Sequence, residues 1–538
     1  MLSLGSSIGP LQIFRRFGMP SVIPYLLAGL LAVHNVTAQN LPAQDHAGRG
    51  ISLAREGKLP EAEQELRDAV RSAPGVASYR AQLGSILGLQ EKWNEALVAF
   101  QKAIDLTPEN LDFRRETAAV QWQLGLMSSA EKNLRYVLRE HPDDPGAILL
   151  LGLVKEKTGD YRKAAELLDS QFALVSLQPD RIVALFHSIT QSAQPDKVPK
   201  IVAVLRLHAS DTQWASAVSR CTQIAVGSGD LETAEAVFAL LSIDNPERGV
   251  AGVQVAKLLY SRGQISQAQA LISQLKEHGV ASADLEALLG NCFEAERRPD
   301  LALQAYQRAI QLAPSQIDHY EDLISLLLYM RRAKEAAILV KKALQLAPRD
   351  ARPWVWKGDV DLNRNAYKDA MESYKHAVTL DPSNADARFG VSAAFFFAGQ
   401  TDAVIAECKA GIKRFPNDSR FYVAYAEMLI ASPDSINLQT QARDLLEKAV
   451  QLSPQSAQAR YLLGQLALQE GRFKEAETEF LLSLQTDPDR SKTHFALAGI
   501  YRRTGRADDA AREFARYQEL KQVEESGRAA APSVLEKP

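Results

Sequence analysis

Residues 351–384 read ARPWVWKGDVDLNRNAYKDAMESYKHAVTLDPSN, a block of 34 letters that recurs in altered form along most of the chain. Gly358, Ala370, Tyr374, Ala377 and Pro382 stand at its positions 8, 20, 24, 27 and 32. Proline keeps the same interval elsewhere: Pro74, Pro108 and Pro142, then Pro314, Pro348, Pro382 and Pro416, then Pro454 and Pro488. A fixed period of this length means one structural unit copied many times, and it decides the fold before any propensity is counted.

The other marked positions keep the same register. Position 20 is Ala62, Ala96, Ala130 and Ala164, and later Ala234, Ala268, Ala302, Ala336 and Ala476. Position 8 is Gly50, Gly84, Gly152, Gly290 and Gly464; position 24 is bulky, with Phe100, Phe238, Tyr306, Phe480 and Phe514. Small residues at 8 and 20 let two antiparallel helices approach closely, and the aromatic at 24 fills the space between one pair and the next. The proline stops the second helix, because it lacks the N–H that a helix interior needs.

This pattern resembles the tetratricopeptide repeat, a helix–turn–helix unit, and Trp354 matches the family's aromatic at position 4. The resemblance covers residues 43–520. It implies an all-α fold, a right-handed α-solenoid superhelix of about 13–14 repeats in which each unit contacts only its neighbours. The expected organisation is a signal peptide at 1–38, an N-terminal block at 43–179 and a C-terminal block at 214–520 with a cap. By the period, the blocks hold about 4 and about 9 repeats. Residues 180–213 lack the Ala, Gly and Pro markers and read as a degenerate repeat or a joint. Residues 521–538 have little to bury and are expected to be a disordered tail. Ser432–Gln441 carries four extra residues and reads as a surface loop.

Composition suits a helical array. The chain has 538 residues, 46% hydrophobic and 24% charged, and a net charge of −3 with both signs interspersed. Nothing in it resembles the basic face of a nucleic-acid binder. The N-terminus carries the address. Arg15 and Arg16 precede a short apolar run, Val22–Val33, and Val36-Thr37-Ala38 offers small residues for cleavage. These are the three parts of a secretory signal. The run is too short to span a bilayer comfortably. The expectation is therefore export by signal peptide to a periplasmic or secreted location, with no membrane span after cleavage. An N-terminal membrane anchor is the alternative.

No catalytic constellation emerges. The histidines are scattered over different repeats, and none has a partner at helical metal spacing. Cys221, Cys292 and Cys408 lie in different repeats among apolar neighbours, which reads as core rather than disulfide. The chain is read as non-enzymatic, with no cofactor and no metal; an enzyme with a cryptic site in the degenerate repeat is the reading from another class.

What remains is the inner surface. In the family the first helix of each pair lines the concave groove, with positions 2, 5, 9, 12 and 13 pointing into it. Mapped on this chain, those positions bring Tyr329, Asp359, Phe389, Phe396, Phe397, Glu427, Tyr461 and Phe495 to the C-terminal groove. The same positions nearer the N-terminus are small or polar, as at Ala47, Ala81 and Ser85. Aromatic anchors supply affinity and acids supply orientation, so the stripe reads as a groove for a protein or peptide partner carrying positive charge. The competing reading places position 5 in the core. Three successive rings, Phe395-Phe396-Phe397, cannot all face one side of a helix. Two functions of the family are not matched. The Lys and Asn that hold a C-terminal carboxylate are missing, and position 6 reads Gln82, Glu116, Leu150, Gln254 and Asp322 rather than an asparagine ladder. The reading is an interaction scaffold in the cell envelope, or an assembly or export factor for envelope polysaccharide or protein; sequence does not fix the oligomeric state.

Overall fold

A computed structural model describes residues 41–432 and 435–525. Over these residues the chain is an all-α tetratricopeptide solenoid with no strand. It divides after Val280 into two compact units. Each unit holds seven helix pairs, from Leu41–Arg55 with Leu59–Ser72 to Pro246–Ser261 with Ile265–Glu277, and from Ala283–Ala295 with Pro299–Leu312 to Ser491–Arg503 with Ala507–Glu525.

Local chemistry starts and stops these helices. Two residues after the repeat proline stands a capping side chain. Asn110 accepts from the Phe113 N–H at 3.0 Å, Asp144 from Ala147 at 2.7 Å and Asn384 from Ala387 at 2.8 Å. Each satisfies an N–H that has no partner within the helix. Between the helices of a pair one residue turns left-handed, such as Gly57 at φ +80° and Gly471 at φ +78°. Arg297, at φ +58°, holds this place without being glycine.

Packing follows the period. The position-24 rings Phe100, Tyr306, Tyr374 and Phe480 are wholly buried, as are the position-20 alanines Ala96, Ala302, Ala370 and Ala476. A methyl group added to Gly358 would lie 2.5 Å from the Tyr374 ring, and one on Gly464 2.6 Å from Phe480. The glycine at position 8 is therefore a ring-sized recess in its own repeat, as well as a site of close helix approach.

Residues 180–213 are helical. Pro179–Gln191 and Val198–Leu207 form a pair joined through a short 3-10 turn, Pro195–Lys197, and bury Ile182, Phe186, Ile201 and Leu205. Of the extra residues at 432–441, those from Ser435 onward do not form the expected surface loop, and residues 433–434 lie outside the described residues. The second helix of that repeat starts at Ser435 and runs to Leu452, 18 residues where most of the second helices have 14, so the insertion lengthens a helix. The last helix continues to Glu525, so residues 521–525 belong to it rather than to the expected tail; the remainder of the tail and the signal segment lie outside the described residues.

The last repeat is distinctive at position 27. Position 27 is Ala69, Ala103, Ala309, Ala343, Ala377, Gly411 and Ser483 in other repeats, and Tyr517 here. At Gly411 the Phe421 ring of the following repeat packs directly on the glycine. Tyr517 instead turns its ring to Phe495 at 5.0 Å and Phe514 at 5.8 Å between centroids.

Candidate functional site

The residues assigned to the C-terminal groove separate into core and surface. Phe389 is only 4% exposed, packs edge-on against Phe421 at 5.5 Å and lies beneath the Arg420 guanidinium. Tyr461 is also buried; its ring tilts on Phe480 at 5.7 Å and its hydroxyl accepts from Gln465 Nε2 at 2.9 Å. Phe396 and Phe397 are half-buried and meet edge-to-face at 5.4 Å, and Phe397 stacks on Tyr367 at 6.0 Å. Two rings remain on the surface: Tyr329 is 50% exposed and Phe495 56%.

The two acids differ. Asp359 accepts from the Tyr374 hydroxyl at 2.6 Å, so this carboxylate anchors a core ring. Burial drives the Tyr374 phenol well above its usual range, and the adjacent Asp359 charge pushes it the same way. Glu427 stands in a polar cluster. Burial raises its carboxyl pKa, while the positive charges of Lys492 and Arg490 and a hydrogen bond from Gln458 oppose that rise. Arg490 is itself buried. It donates to Gln458 Oε1 and places its guanidinium carbon 5.3 Å from the centre of the Tyr461 ring. The structure thus brings Glu427 and Tyr461 together around Gln458 and Arg490 and leaves Tyr329 apart from them.

Several acids of this face have partners within the chain. Asp318 and Asp386, the acids at position 2, are bridged to the neighbouring repeats' Arg352 at 2.6 Å and Arg420 at 2.7 Å. Phe495 shares its helix with the exposed Lys492, Arg502 and Arg503. Arg490 could have been found in the sequence. Position 34 is a capping residue at Asn110, Asp144, Asn384, Asp418 and Ser456, but Val76, Gln316 and Arg490 cap nothing there, and of these only Arg490 brings a charge.

Among the described residues no group of three His, Cys, Asp or Glu side chains could hold a metal ion, and no helix is long and apolar enough to cross a membrane. All three cysteines are free and fully buried. Burial pushes the Cys292 thiol up to about 11 and Cys408 up to about 12, and raises Cys221 further still.

Tetratricopeptide-repeat family models match residues 81–145, 255–317, 322–385 and 440–482. The chain belongs to the tetratricopeptide-repeat family. Such an array is a protein–protein interaction scaffold. The chain is 26% identical over 235 residues to the cellulose synthase operon protein C of Pseudomonas fluorescens, a match covering 42% of this chain and 16% of that protein. It is 34% identical over 95 residues to the cell division cycle protein 27 homolog of Caenorhabditis elegans, covering 18% of this chain and 12% of that protein. It therefore spans less than a fifth of the length of either relative. Among solved structures it is similar to yeast Tom70, at 15% identity and a TM-score of 0.42 over 83% of this chain and 96% of that one.

Proposed function

We propose that this chain is a non-enzymatic scaffold of the cell envelope that holds an acidic peptide or protein segment on the groove face of its last repeats. The observation that carries this is Phe495. Groove position 5 is buried at Phe389 and Tyr461 but 56% exposed at Phe495, with Lys492 exposed on the same helix. An aromatic ring beside a lysine suits an apolar side chain flanked by a carboxylate. The envelope location rests on the N-terminal signal pattern, Arg15-Arg16 followed by Val22–Val33 and Val36-Thr37-Ala38.

The test replaces Phe495 by a photo-crosslinking phenylalanine derivative in the exporting cell and sequences the adduct. The expected result is one dominant partner, crosslinked through a segment rich in Asp or Glu. Crosslinks spread over abundant proteins would reject the site. N-terminal sequencing of the same material checks export: a chain starting after Ala38 supports it, and a chain recovered from membranes starting at Met1 supports the anchor.

A second reading is supported by the similarity to a cellulose synthase operon protein: an assembly or export factor for envelope polysaccharide. The partner would then be a subunit of a synthase or pore. Loss of surface polysaccharide in a deletion strain, restored by the wild-type chain but not by Phe495→Ala, would favour it.

A further inference from the structure

Arg297 Nη1 donates to Asp489 Oδ2 at 2.9 Å, although 192 residues separate them in the chain. Arg297 lies in the turn inside the first repeat of the second unit. Asp489 lies in the connection leading to the last repeat of that same unit. In a solenoid each repeat touches its immediate neighbours, so a bond between the first and the last connection means that the stack has come round on itself. Asp489 has a second cation, Arg516 of the last helix, whose Nη2 donates to Oδ1 at 2.7 Å. Arg516 in turn holds Glu519 at 2.9 Å.

Arg297 stands where most repeats have glycine, as Arg331 does one repeat later. The backbone there is left-handed, and Arg297 adopts φ +58°. An L side chain in this region costs backbone energy. Its guanidinium reaches out through solvent, 81% exposed, to meet the carboxylate. The contact between these two connections is an ion pair.

We propose that Arg297, Asp489 and Arg516 form a salt-sensitive latch that closes the turn of the second unit, so that ionic strength sets how wide its concave face stands open. An exposed ion pair contributes little, enough to change the open-to-closed ratio by up to about fivefold. That is too small to lock the unit and large enough to bias it. The latch does not depend on the groove having the ligand proposed above.

The test uses the full chain with cysteines placed at Gln304 and Gln485, exposed helix positions close to the two connections. The three native thiols are buried, so spin labels go to the new sites. Pulsed electron resonance then reads the distance. At about 10 mM salt, where screening extends over some 30 Å, the short distance should predominate; at about 1 M salt a longer component should grow by up to about fivefold. Arg297→Gly should show the longer component already at low salt, at unchanged melting temperature, because glycine is at ease in the left-handed turn. Arg332→Ala, which breaks an exposed pair with Glu335 inside one helix, should leave the distances as they are. An Arg297→Gly chain with the wild-type distribution at low salt would overturn the proposal. So would a wild-type chain that is open at every salt, or an Arg332→Ala chain that opens equally.

Discussion

The Tyr374 hydroxyl and the Asp359 carboxylate share a hydrogen bond of 2.6 Å. Sequence position alone would have made Asp359 a ligand contact; the bond makes it the polar end of a core ring. Tyr374→Phe removes the donor and keeps the ring. A bond to a charged group is worth about 1.5–3 kcal/mol. The expected outcome is a loss of that size in chemical denaturation of the second unit, with partner capture unchanged.

Phe389 and Phe495 occupy the same repeat position and should respond in opposite ways. Phe389→Ala empties a buried site and is expected to lower stability by about 3–5 kcal/mol. Phe495→Ala removes an exposed ring and should leave melting nearly unchanged, while weakening partner binding by more than about 1 kcal/mol. Melting and titration of the two variants side by side check both.

Gly358 has no room for a methyl group, since the Tyr374 ring already lies where it would go. Gly358→Ala should therefore cost about 1–3 kcal/mol through overpacking, against the usual gain from replacing a helical glycine. Urea denaturation measures it. A stabilised variant would mean that the ring moves freely and that the recess is not a constraint.

Glu116 is fully buried, and neither carboxylate oxygen has a hydrogen-bond partner. Burial raises its pKa well above the usual carboxylate range, against the pull of Arg115. The unfolded chain ionises first. Unfolding then releases a proton between the ordinary carboxylate range and the raised folded value, and stability falls as pH rises through that window. Leu150 fills the same position one repeat later. Glu116→Leu should stabilise the first unit by about 1–3 kcal/mol at neutral pH and flatten this part of its pH profile. Calorimetry across pH 4–8 tests both effects.

The fold was legible because its signals repeat: a proline, two small residues and a ring at fixed offsets leave one way to stack helices. Even the degenerate stretch kept enough apolar residues, Ile182 and Ile201 among them, to form its pair. The insertion at 432–441 was misread because Ser, Pro, Asp and Asn favour turns, yet the same letters can begin a helix when a second helix already waits to be lengthened. The groove was only half legible. A position number places a side chain on a helix face but does not say how closely the next repeat covers it, so Phe389 and Phe495 look alike in sequence. Charge was the least legible feature, since Arg352, Arg420 and Arg490 act on acids of a neighbouring repeat or of a repeat further along the stack.

Tyr517 bears on how this array could be lengthened. Many of the helix pairs before it offer the next a shallow seat, made by Ala69, Ala103, Ala309, Ala343, Ala377, Gly411 or Ser483. At Tyr517 that seat is taken by a phenol ring leaning on Phe495 and Phe514. A further pair packed in register on this face would meet that ring first, so the side chain stands as a stopper where Gly411, in its own repeat, leaves room for Phe421. Tyr517→Ala would remove the stopper and leave Phe514, already 42% exposed, facing whatever repeat surface drifts past.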